Sequence, residues 1–409
     1  MSSGISSKPE QAGHGAPFLS FQTVFHNHFI PKELTDLMSS TEKEQETHSI
    51  CKGDIFLTRT SEVIDELGMS CVALEDYPKA TFSGFLKRFR PIKDNIAYEK
   101  YMGFYLRSQL FRKSMTNNAT MTLRASLNKE IVSYLDLYLP EYATQKTIGD
   151  FLFLLNSKIE CNNRINAELE VMAKTLYNYW FLQFDFPNEN GMPYKSSGGK
   201  MVYNSTLKKE IPYGWNVLSL CTIASCIQRG ISPSYADRSS IVVLNQKCIR
   251  DHKLDFSKAR FHDAHRKSVP AERFIQNGDI LVNSTGVGTL GRLTQVWGSP
   301  TRITIDSHIT LIRPNVTLVS HAFLGYSMIH REKEIESLGE GSTGQTELSR
   351  NTLGALDILC PDNSIQQNFS IIVRPNLELI HKNIQENQKL SQLRDWLLPM
   401  LMNGQVTVQ

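Results

Sequence analysis

The sequence predicts an α+β protein built from two similar mixed α/β modules, each followed by one long helix. The chain of 409 residues is too long for one ordinary core. A set of landmarks recurs roughly 220 residues further along, and after each copy the apolar spacing changes from two residues to about 3.5. Hydrophobic residues make up 41% of the chain and charged residues 21%, a balance typical of globular proteins.

The internal repeat depends on landmarks that keep their order along the chain. Paired across the two copies, they are Gly4-Ile5-Ser6 with Gly230-Ile231-Ser232, Gly53-Asp54-Ile55 with Gly278-Asp279-Ile280, Arg90-Pro91 with Arg313-Pro314, Leu135-Asp136-Leu137 with Leu356-Asp357-Ile358, and Gln145 with Gln366. The separation falls slowly, from 226 residues (Gly4 to Gly230) to 221 (Gln145 to Gln366), as small differences in loop length would produce. We therefore interpret the chain as a duplication.

Short strands are predicted within each copy. β-Branched and aromatic residues favour strands at 54–58 and 279–282, and alternation of apolar with polar residues favours strands at 85–90 and 303–313. Beyond Pro140 and Pro361 the pattern becomes helical. The predicted boundaries are a first module at 1–143, a helix at 144–182, an exposed linker at 183–210, a second module at 211–361 and a helix at 362–404.

Both helices carry a heptad pattern. Its positions are Ile148, Phe151, Leu155, Lys158, Asn162, Ile165, Leu169, Met172, Leu176 and Tyr179 in the first helix, and Phe369, Ile372, Asn376, Leu379, Asn383, Glu386, Leu390, Leu393, Leu397 and Met400 in the second. Such a seam needs a partner helix, and the two helices can supply each other. The alternative is that each helix lies on its own module. Asn162 and Asn383 hold equivalent seam positions, where a buried polar residue fixes the register. Pro375 removes a helical hydrogen bond and kinks a helix, so the second coil is predicted to begin effectively near Asn376.

Composition excludes several classes of protein. The first 18 residues are polar and lack the apolar segment of a secretory signal, and apolar runs stay far below the roughly 20 residues of a membrane span. Seven cysteines without a Cys-x-x-Cys pair favour neither a disulfide framework nor a zinc site, so a reducing cytoplasm is expected. The net charge of +3 is too small to indicate nucleic-acid binding by itself.

No catalytic or metal-binding motif stands out. Residues 286–291 match G-x-G-x-x-G, but a strand-like segment follows where a dinucleotide site needs a helix, so a glycine-rich hairpin turn is expected. Gly199-Lys200 lacks the spacing of a phosphate-binding loop. His26 and His28 are expected on one face of a strand without a carboxylate nearby, and His262 and His265 lie among cations that oppose a metal ion.

One stretch carries a specific resemblance. It runs from Trp180-Phe181 through Phe184-Asp185-Phe186-Pro187 to residues 194–203, with Gly344-Gln345-Thr346 in support. With the duplicated module and the two heptad helices, it resembles the specificity subunit of type I restriction-modification enzymes. About twenty-five residues before Gly230 have no counterpart before Gly4. Since family members open with such a segment, the first module is expected to be truncated at its N-terminus.

The resemblance implies that the modules are target recognition domains, each reading one half of a split site in double-stranded DNA. It also implies that the helices form an antiparallel two-helix coiled coil, which separates the modules and docks two methyltransferase subunits. Restriction (helicase-nuclease) subunits complete the complex. S-adenosylmethionine, ATP and magnesium are then expected in those partner subunits, with no cofactor or catalytic site in this chain. The first helix would span roughly 50 Å, which leaves unread base pairs between the half-sites.

DNA-reading side chains need forked donors or acceptors for base edges, and cations or hydroxyls for phosphates. The candidates are Ser6, Lys8, Arg59, Thr60, Lys87, Arg88 and Arg124 in the first module, and Arg229, Ser232, Ser284, Thr285, Arg292, Gln345 and Arg350 in the second. Any one of them can equally be an ordinary solvated side chain. A second hypothesis treats the chain as a coiled-coil adaptor whose modules bind proteins, and a third treats it as an enzyme.

Overall fold

The chain divides into two compact units in the computed structural model, which describes residues 1–6, 9–61, 63, 66–118, 125–127, 132–341 and 346–408. The first unit comprises Met1–Asn162 and Glu386–Gln409, and the second comprises Asn163–Gln385. Each long helix therefore contributes one part to each unit. The described residues contain no helix that is both long and apolar enough to cross a membrane.

The first unit is built from short strands and helices. Its strands are β1 (Ser2–Ser3), β2 (Ala12–Leu19), β3 (Leu37–Met38), β4 (Ile55–Thr58), β5 (Thr60–Ser61), β6 (Ser70–Val72), β7 (Thr81–Phe82), β8 (Leu86–Phe89) and β9 (Ala125–Ser126). Its helices are α1 (Phe21–His26), α2 (Glu42–Thr47), α3 (Glu99–Tyr105), α4 (Gln109–Asn118) and the start of α5 (Tyr142–Tyr177). One sheet has the order β1-β8-β4-β6, another the order β3-β2-β7, and β5 pairs with β9.

The second unit follows α5, which continues as a π-helical turn over Asn178–Leu182. Its strands are β10 (Met201–Asn204), β11 (Lys209–Pro212), β12 (Asn216–Ser219), β13 (Ala224–Arg229), β14 (Tyr235–Ala236), β15 (Ile241–Leu244), β16 (Ile249–Arg250), β17 (Lys253–Leu254), β18 (Arg260–His262), β19 (Ile280–Asn283), β20 (Leu293–Gln295), β21 (Ile303–Ile305), β22 (Ile309–Pro314) and β23 (Asp357–Cys360). Its helices are α6 (Leu220–Ile223), α7 (His321–His330), α8 (Glu332–Ser337), α9 (Arg350–Gly354) and most of α10 (Asn363–Met402).

The sheets of the second unit repeat those of the first. Strands β13-β22-β19-β20 form one sheet and β14-β18-β15-β21 another, while β10 pairs with β11, β12 with β23 and β16 with β17. The register repeats as well. Ile55 pairs with Phe89 and Val72, and its counterpart Ile280 pairs with Ile312 and Gln295. In the second sheets, the parallel pair of Leu19 with Phe82 recurs as Leu244 with Ile305. The two copies thus share strand order and register.

The glycine landmarks mark a close approach of two backbones. A Cβ atom on Gly4 would lie 2.0 Å from the Phe82 carbonyl oxygen, and one on Gly230 would lie 2.2 Å from the Ile305 carbonyl oxygen. No side chain fits at such distances, so glycine is required at both positions.

The aspartate and arginine landmarks form an ion pair in each unit. Asp54 accepts two hydrogen bonds from Arg90, at 2.6 and 2.7 Å, and Asp279 accepts two from Arg313, both at 2.8 Å. Both carboxylates are buried. The hydrogen bond to Asp279 raises the pKa of the Arg313 guanidinium, as that to Asp54 does for Arg90. The pair joins the turn before the central strand to the end of the neighbouring strand.

The glutamine landmarks tie each module to its helix. Gln145 accepts a hydrogen bond from Tyr98 N at 2.9 Å and donates to the carbonyl oxygens of Ile96 and Pro140, both at 2.9 Å. Gln366 repeats these contacts with Ser320 N at 3.0 Å and the Pro361 carbonyl at 2.8 Å. Both glutamines are buried. They hold the first turn of α5 and of α10 against the segment that enters α3 and α7.

Segments of α5 and α10 pack against each other within each unit. In the first unit, Asn162 donates to Asn387 Oδ1 at 2.9 Å, and Arg394 donates to Asn156 Oδ1 at 3.3 Å. Residue numbers rise along one helix as they fall along the other, so the segments run antiparallel in this unit. In the second unit, the buried Asn383 donates to Asn166 Oδ1 at 2.8 Å. Asn162 and Asn383 therefore each bond to another polar residue of the facing helix.

The seam predicted from apolar spacing is out of phase by one residue over much of α5. Met172 is 61% exposed and Lys158 is exposed, whereas Leu152, Asn156 and Ala173 are buried. The buried positions include asparagines, which an apolar pattern does not count, and the small residue Ala173, which is a weak signal beside larger apolar residues.

The seam of α10 shows the same shift in part, because the predicted positions Phe369 and Asn383 are buried but others are not. Ile372, Leu379 and Leu393 are exposed, while Val373 and Ile380 are buried. The interruption predicted at Pro375 is wrong, because α10 begins at Asn363 and runs through Pro375 without a break.

Residues 183–210, expected to be an exposed linker, are packed into the second unit. Phe184 and Phe186 are buried beside Trp215, and the Phe186 and Tyr194 rings stack with centroids 4.6 Å apart. Strands β10 and β11 form a hairpin in the same stretch. Its glycines and prolines therefore lie in turns of a folded segment, and its aromatic side chains belong to the hydrophobic core.

Of two other local predictions, the one for the glycine-rich turn is confirmed and the one for His26 is wrong. The G-x-G-x-x-G segment forms the turn between the antiparallel strands β19 and β20, as a glycine-rich hairpin requires. The strand predicted for His26 is wrong, because this residue ends the helix α1. The polar cap Ser20 starts that helix, since its hydroxyl accepts a hydrogen bond from Thr23 N at 3.2 Å.

Candidate nucleic-acid interface

The predicted residues Arg59 and Thr60 lie where strand β4 leaves the first sheet. Arg59 is exposed, its N–H donates to the Phe85 carbonyl at 2.7 Å, and its carbonyl accepts from Leu127 N at 2.7 Å. Thr60 pairs with Ser126 in the β5–β9 ladder. Backbone hydrogen bonds on both sides thus fix these two residues, so their side chains project from a defined position.

An open cleft of about 490 Å³ lies beside these residues. It is lined by aromatic and polar side chains, namely Phe21, Gln22, Phe25, Thr60, Ser61, Glu66 and Phe85. Phe21 and Phe25 stand one turn apart on α1, and their rings stack with centroids 5.8 Å apart. Phe85 is 60% exposed, which leaves a large apolar surface in contact with water.

A buried arginine anchors the helix that supplies these rings. Arg107 donates to the carbonyl oxygens of Val24 (2.7 Å), Phe25 (3.0 Å) and Asn27 (2.8 Å) at the end of α1, and to that of Ser70 in β6 at 2.8 Å. A cation at a helix C-terminus also complements the helix dipole. Burial lowers the pKa of Arg107 to about 10, so the side chain stays charged at neutral pH.

The second unit has residues at positions equivalent to Thr60, Phe21 and Phe85, and two of these three side chains differ. Thr285 corresponds to Thr60, and its hydroxyl donates to Gln246 Oε1 at 3.4 Å. Gln246 is the first residue after the cap Asn245, as Phe21 is after Ser20. His308 takes the place of Phe85, since its carbonyl accepts from Ser284 N at 2.9 Å.

Several predicted DNA-binding side chains are used inside the fold. Lys87 donates to Ser3 Oγ at 2.6 Å, and Arg88 donates to the carbonyl oxygens of Ser49 and Thr47. Ser284 is buried, with its hydroxyl 2.5 Å from that of Thr310. The structure therefore argues against Ser284 as a base contact, because its hydroxyl lies in the core between two strands.

Arg229 is largely occupied by protein partners. Its guanidinium donates to Glu347 Oε1 at 2.7 Å and to the carbonyl oxygens of Ser307 (3.1 Å) and Leu348 (2.8 Å). The backbone of Glu347 also forms a β-bridge with Thr285, so the segment that holds the Arg229 guanidinium lies beside Thr285. These two predicted residues are brought together by strands far apart in sequence.

The remaining predicted residues lie at the surface or outside the described chain. Ser6, Ser232 and Arg350 are exposed, and Arg292 is half-buried before β20. Lys8, Arg124 and Gln345 lie outside the described residues. Sequence reasoning missed the aromatic side chains of the first cleft, together with Gln246 and His308. The available signal was the repeat itself, because Phe21 and Phe85 align with Gln246 and His308 at separations of 225 and 223 residues.

The histidines considered as metal ligands have other contacts. His262 is buried, with hydrogen-bond partners Ser234 N (3.0 Å) and the Lys267 carbonyl (2.7 Å). Among the described residues, no group of three or more His, Cys, Asp or Glu side chains is placed to hold a metal ion.

Both units thus repeat one α+β module with polar and basic side chains at its strand ends. Residues 6–171 match the family model of the type I restriction modification DNA specificity domain. The resemblance to type I specificity subunits is thereby confirmed.

Two curated relatives point the same way. The type I restriction enzyme MjaIX specificity subunit of Methanocaldococcus jannaschii is 24% identical over 388 residues, which cover 93% of this chain and 84% of the relative. The type I restriction enzyme HindI specificity subunit of Haemophilus influenzae is 24% identical over 331 residues, covering 67% of this chain and 70% of the relative.

A solved structure shares the fold. The type I restriction-modification system S subunit from M. genitalium superposes with a TM-score of 0.62 at 12% identity, covering 98% of this chain and 92% of that one. The mixed α/β architecture with its long helices is therefore that of a known S subunit.

Proposed function

We propose that this chain is the sequence-specificity subunit of a type I restriction-modification complex and reads a split site in double-stranded DNA with two target recognition domains. One observation carries the proposal: strand register, Asp–Arg pair and buried glutamine recur residue by residue in both units. Two copies of one framework, of which the first carries a DNA specificity domain, suit the reading of two half-sites.

The long helices would set the distance between the half-sites. Helix α5 has 36 residues, which at 1.5 Å per residue gives a length of about 54 Å. This exceeds one turn of duplex DNA, about 34–36 Å, so unread base pairs would separate the half-sites. The antiparallel contacts of α5 with α10 in each unit support a two-helix coiled coil as the spacer.

The helices would also dock the partner subunits. Leu154 and Val171 of α5 and Ile371 and Trp396 of α10 are large apolar side chains that are exposed in the chain alone. A partner that covered these side chains would remove their apolar surface from water. We propose two methyltransferase subunits there, joined by restriction subunits. S-adenosylmethionine, ATP and magnesium would bind to those partners, and this chain would perform no chemistry itself.

Selection of bound sequences tests the proposal. The full chain, purified with the methyltransferase encoded beside its gene, is incubated with duplexes that contain a long random insert, and the retained duplexes are sequenced. We expect one asymmetric sequence in two blocks, with a fixed number of unread base pairs between them. A continuous site would contradict the two-module reading. Enrichment of no sequence would contradict the function and favour the protein-binding adaptor.

Spacer length provides a second test. One heptad inserted after Asn166 and a matched heptad before Asn383, which faces Asn166 across the two helices, lengthen both helices by about 10 Å, or about three base pairs. We expect the unread gap to grow by that amount, while both blocks stay the same. An unchanged gap would contradict the spacer role of the helices.

A further inference from the structure

The cleft in the first unit exposes apolar surface that its own fold does not cover. Phe85 projects into solvent beside the stacked rings of Phe21 and Phe25. Gln22, Glu66 and Thr60, whose side chains can exchange hydrogen bonds with a ligand, also line the cleft. Aromatic faces beside a few polar groups form a surface suited to a flat ligand with an apolar edge.

The backbone around this cleft has the same hydrogen bonds in both units. Arg59 N–H donates to the Phe85 carbonyl, as Ser284 N–H donates to the His308 carbonyl. Leu127 N–H donates to the Arg59 carbonyl, as Leu348 N–H donates to the Ser284 carbonyl. The backbone positions at the first cleft therefore have equivalents in the second unit.

The side chains at these shared positions differ in chemistry. Phe21 is replaced by Gln246 and Phe85 by His308, while the threonine pair Thr60 and Thr285 is kept. Framework residues such as Asp54 and Asp279 are identical in the two copies. A duplicated module that keeps its framework and differs in the side chains at these positions suits the reading of two different half-sites.

Positively charged side chains beside these positions suit the binding of DNA. The exposed cation Arg59 directly precedes Thr60 in the first unit, and the exposed Lys247 directly follows Gln246 in the second. Lysine and arginine side chains position a protein on phosphates, whereas contacts to base edges carry the sequence information. The carboxylate of Glu66 can accept a hydrogen bond from the amino group of cytosine, which is exposed in the major groove.

We propose that the cleft of Phe21, Phe25 and Phe85 reads the first half-site, with its rings in contact with the C5-methyl group of a thymine in the major groove. Phenylalanine is among the side chains that recognise this methyl group by apolar contact. The equivalent positions of the second unit, Gln246 and His308, would instead read its half-site by hydrogen bonds. This inference rests on the proposed function, because it names the bases that the first recognition domain selects.

Replacement of thymine by deoxyuridine tests the inference, because deoxyuridine lacks only the methyl group. The full chain with its methyltransferase is bound to duplexes of the selected sequence in which each thymine of the first half-site is replaced in turn. The first half-site is the block that stays unchanged when residues 211–361 are exchanged for those of a relative. At one position we expect the affinity to fall about fourfold, from the transfer free energy of one methyl group.

The Phe85→Ala variant must then lose this sensitivity to deoxyuridine. Its control is Tyr134→Ala, which removes another exposed aromatic side chain of the same unit, outside the cleft, and must keep the fourfold effect. Equal unfolding midpoints would show that both variants are folded. A first half-site without thymine, or a methyl effect that persists in Phe85→Ala, would overturn the inference while leaving the split site intact. If the wild-type complex selects no split site, the proposed function itself fails.

Discussion

Replacing Gln366 by leucine should destabilise the second unit strongly, because this buried side chain joins the module to α10. The substitution leaves the Ser320 N–H and the Pro361 carbonyl without their partner, at 3.0 and 2.8 Å in the wild type. Each buried group left unsatisfied costs about 1–3 kcal/mol, so the free energy of unfolding should fall by about 2–5 kcal/mol. Leucine keeps the apolar part of the side chain, so the loss reports mainly the hydrogen bonds.

Urea unfolding followed by hydrogen exchange of separate peptides measures this loss and assigns it to a unit. Peptides from α7 and from the start of α10 should exchange faster, while peptides from the first unit should not change. Gln367→Leu is the matched control, because Gln367 is the exposed neighbour on the same helix. A difference between the two variants of less than about 0.5 kcal/mol would refute the reasoning. Gln145→Leu should produce the same loss in the first unit.

Three further changes have defined outcomes. Arg313→Leu leaves the buried Asp279 carboxylate unpaired and should lower the free energy of unfolding by about 3–5 kcal/mol in urea titrations; a loss below about 1 kcal/mol would contradict the pairing. Burial, with Arg107 and Arg394 nearby, lowers the pKa of His28 from 6.5 to about 3. Between these two pKa values the unfolded chain binds more protons than the folded chain. The free energy of unfolding should therefore fall as the pH falls from about 6.5 towards 3, by roughly 1 kcal/mol per pH unit. His28→Phe should flatten this slope, and an unchanged slope would refute the assignment. Asn383→Leu alone leaves the Asn166 amide without its partner and should lower the unfolding midpoint, whereas the double change with Asn166→Leu should restore it; a double variant less stable than the single one would contradict this.

The repeated framework could be predicted from the sequence, but the contacts within it could not. Asp54 and Arg90 are recognisable as landmarks because both recur, yet their pairing joins residues 36 positions apart. A single sequence carries no signal for such a contact. Gln145 was recognisable in the same way, while its three hydrogen bonds depend on how α5 enters the module.

The helices show where an apolar pattern fails. The existence and approximate extent of α5 and α10 follow from the heptad spacing, but the phase does not, because Asn156, Asn166 and Ala173 occupy seam positions. Polar side chains that find partners across the seam lie outside any count of apolar residues. Pro375 is accommodated within α10 without ending it, since interactions with the rest of the fold outweigh the local penalty of proline.

The candidate interface was predictable in part. Thr60 and Thr285 were identified because each follows a repeated strand; Thr60 lines the cleft of the first unit, and Thr285 bonds to Gln246 at the equivalent position of the second. Ser284 was included for the same reason, but alternation along the strand turns its side chain into the core. Phe85 was not considered, because an exposed aromatic residue cannot be told from a buried one by its type alone.

Exchange of the second module tests the central claim most directly. Residues 211–361 are replaced by the corresponding residues of a relative with a different target, and the bases methylated by the resulting complex are mapped across a genome. The account predicts that one block of the split sequence changes, while the other block and the unread gap stay as in the wild type. A change in both blocks, or in neither, would contradict the reading of DNA by two separate modules.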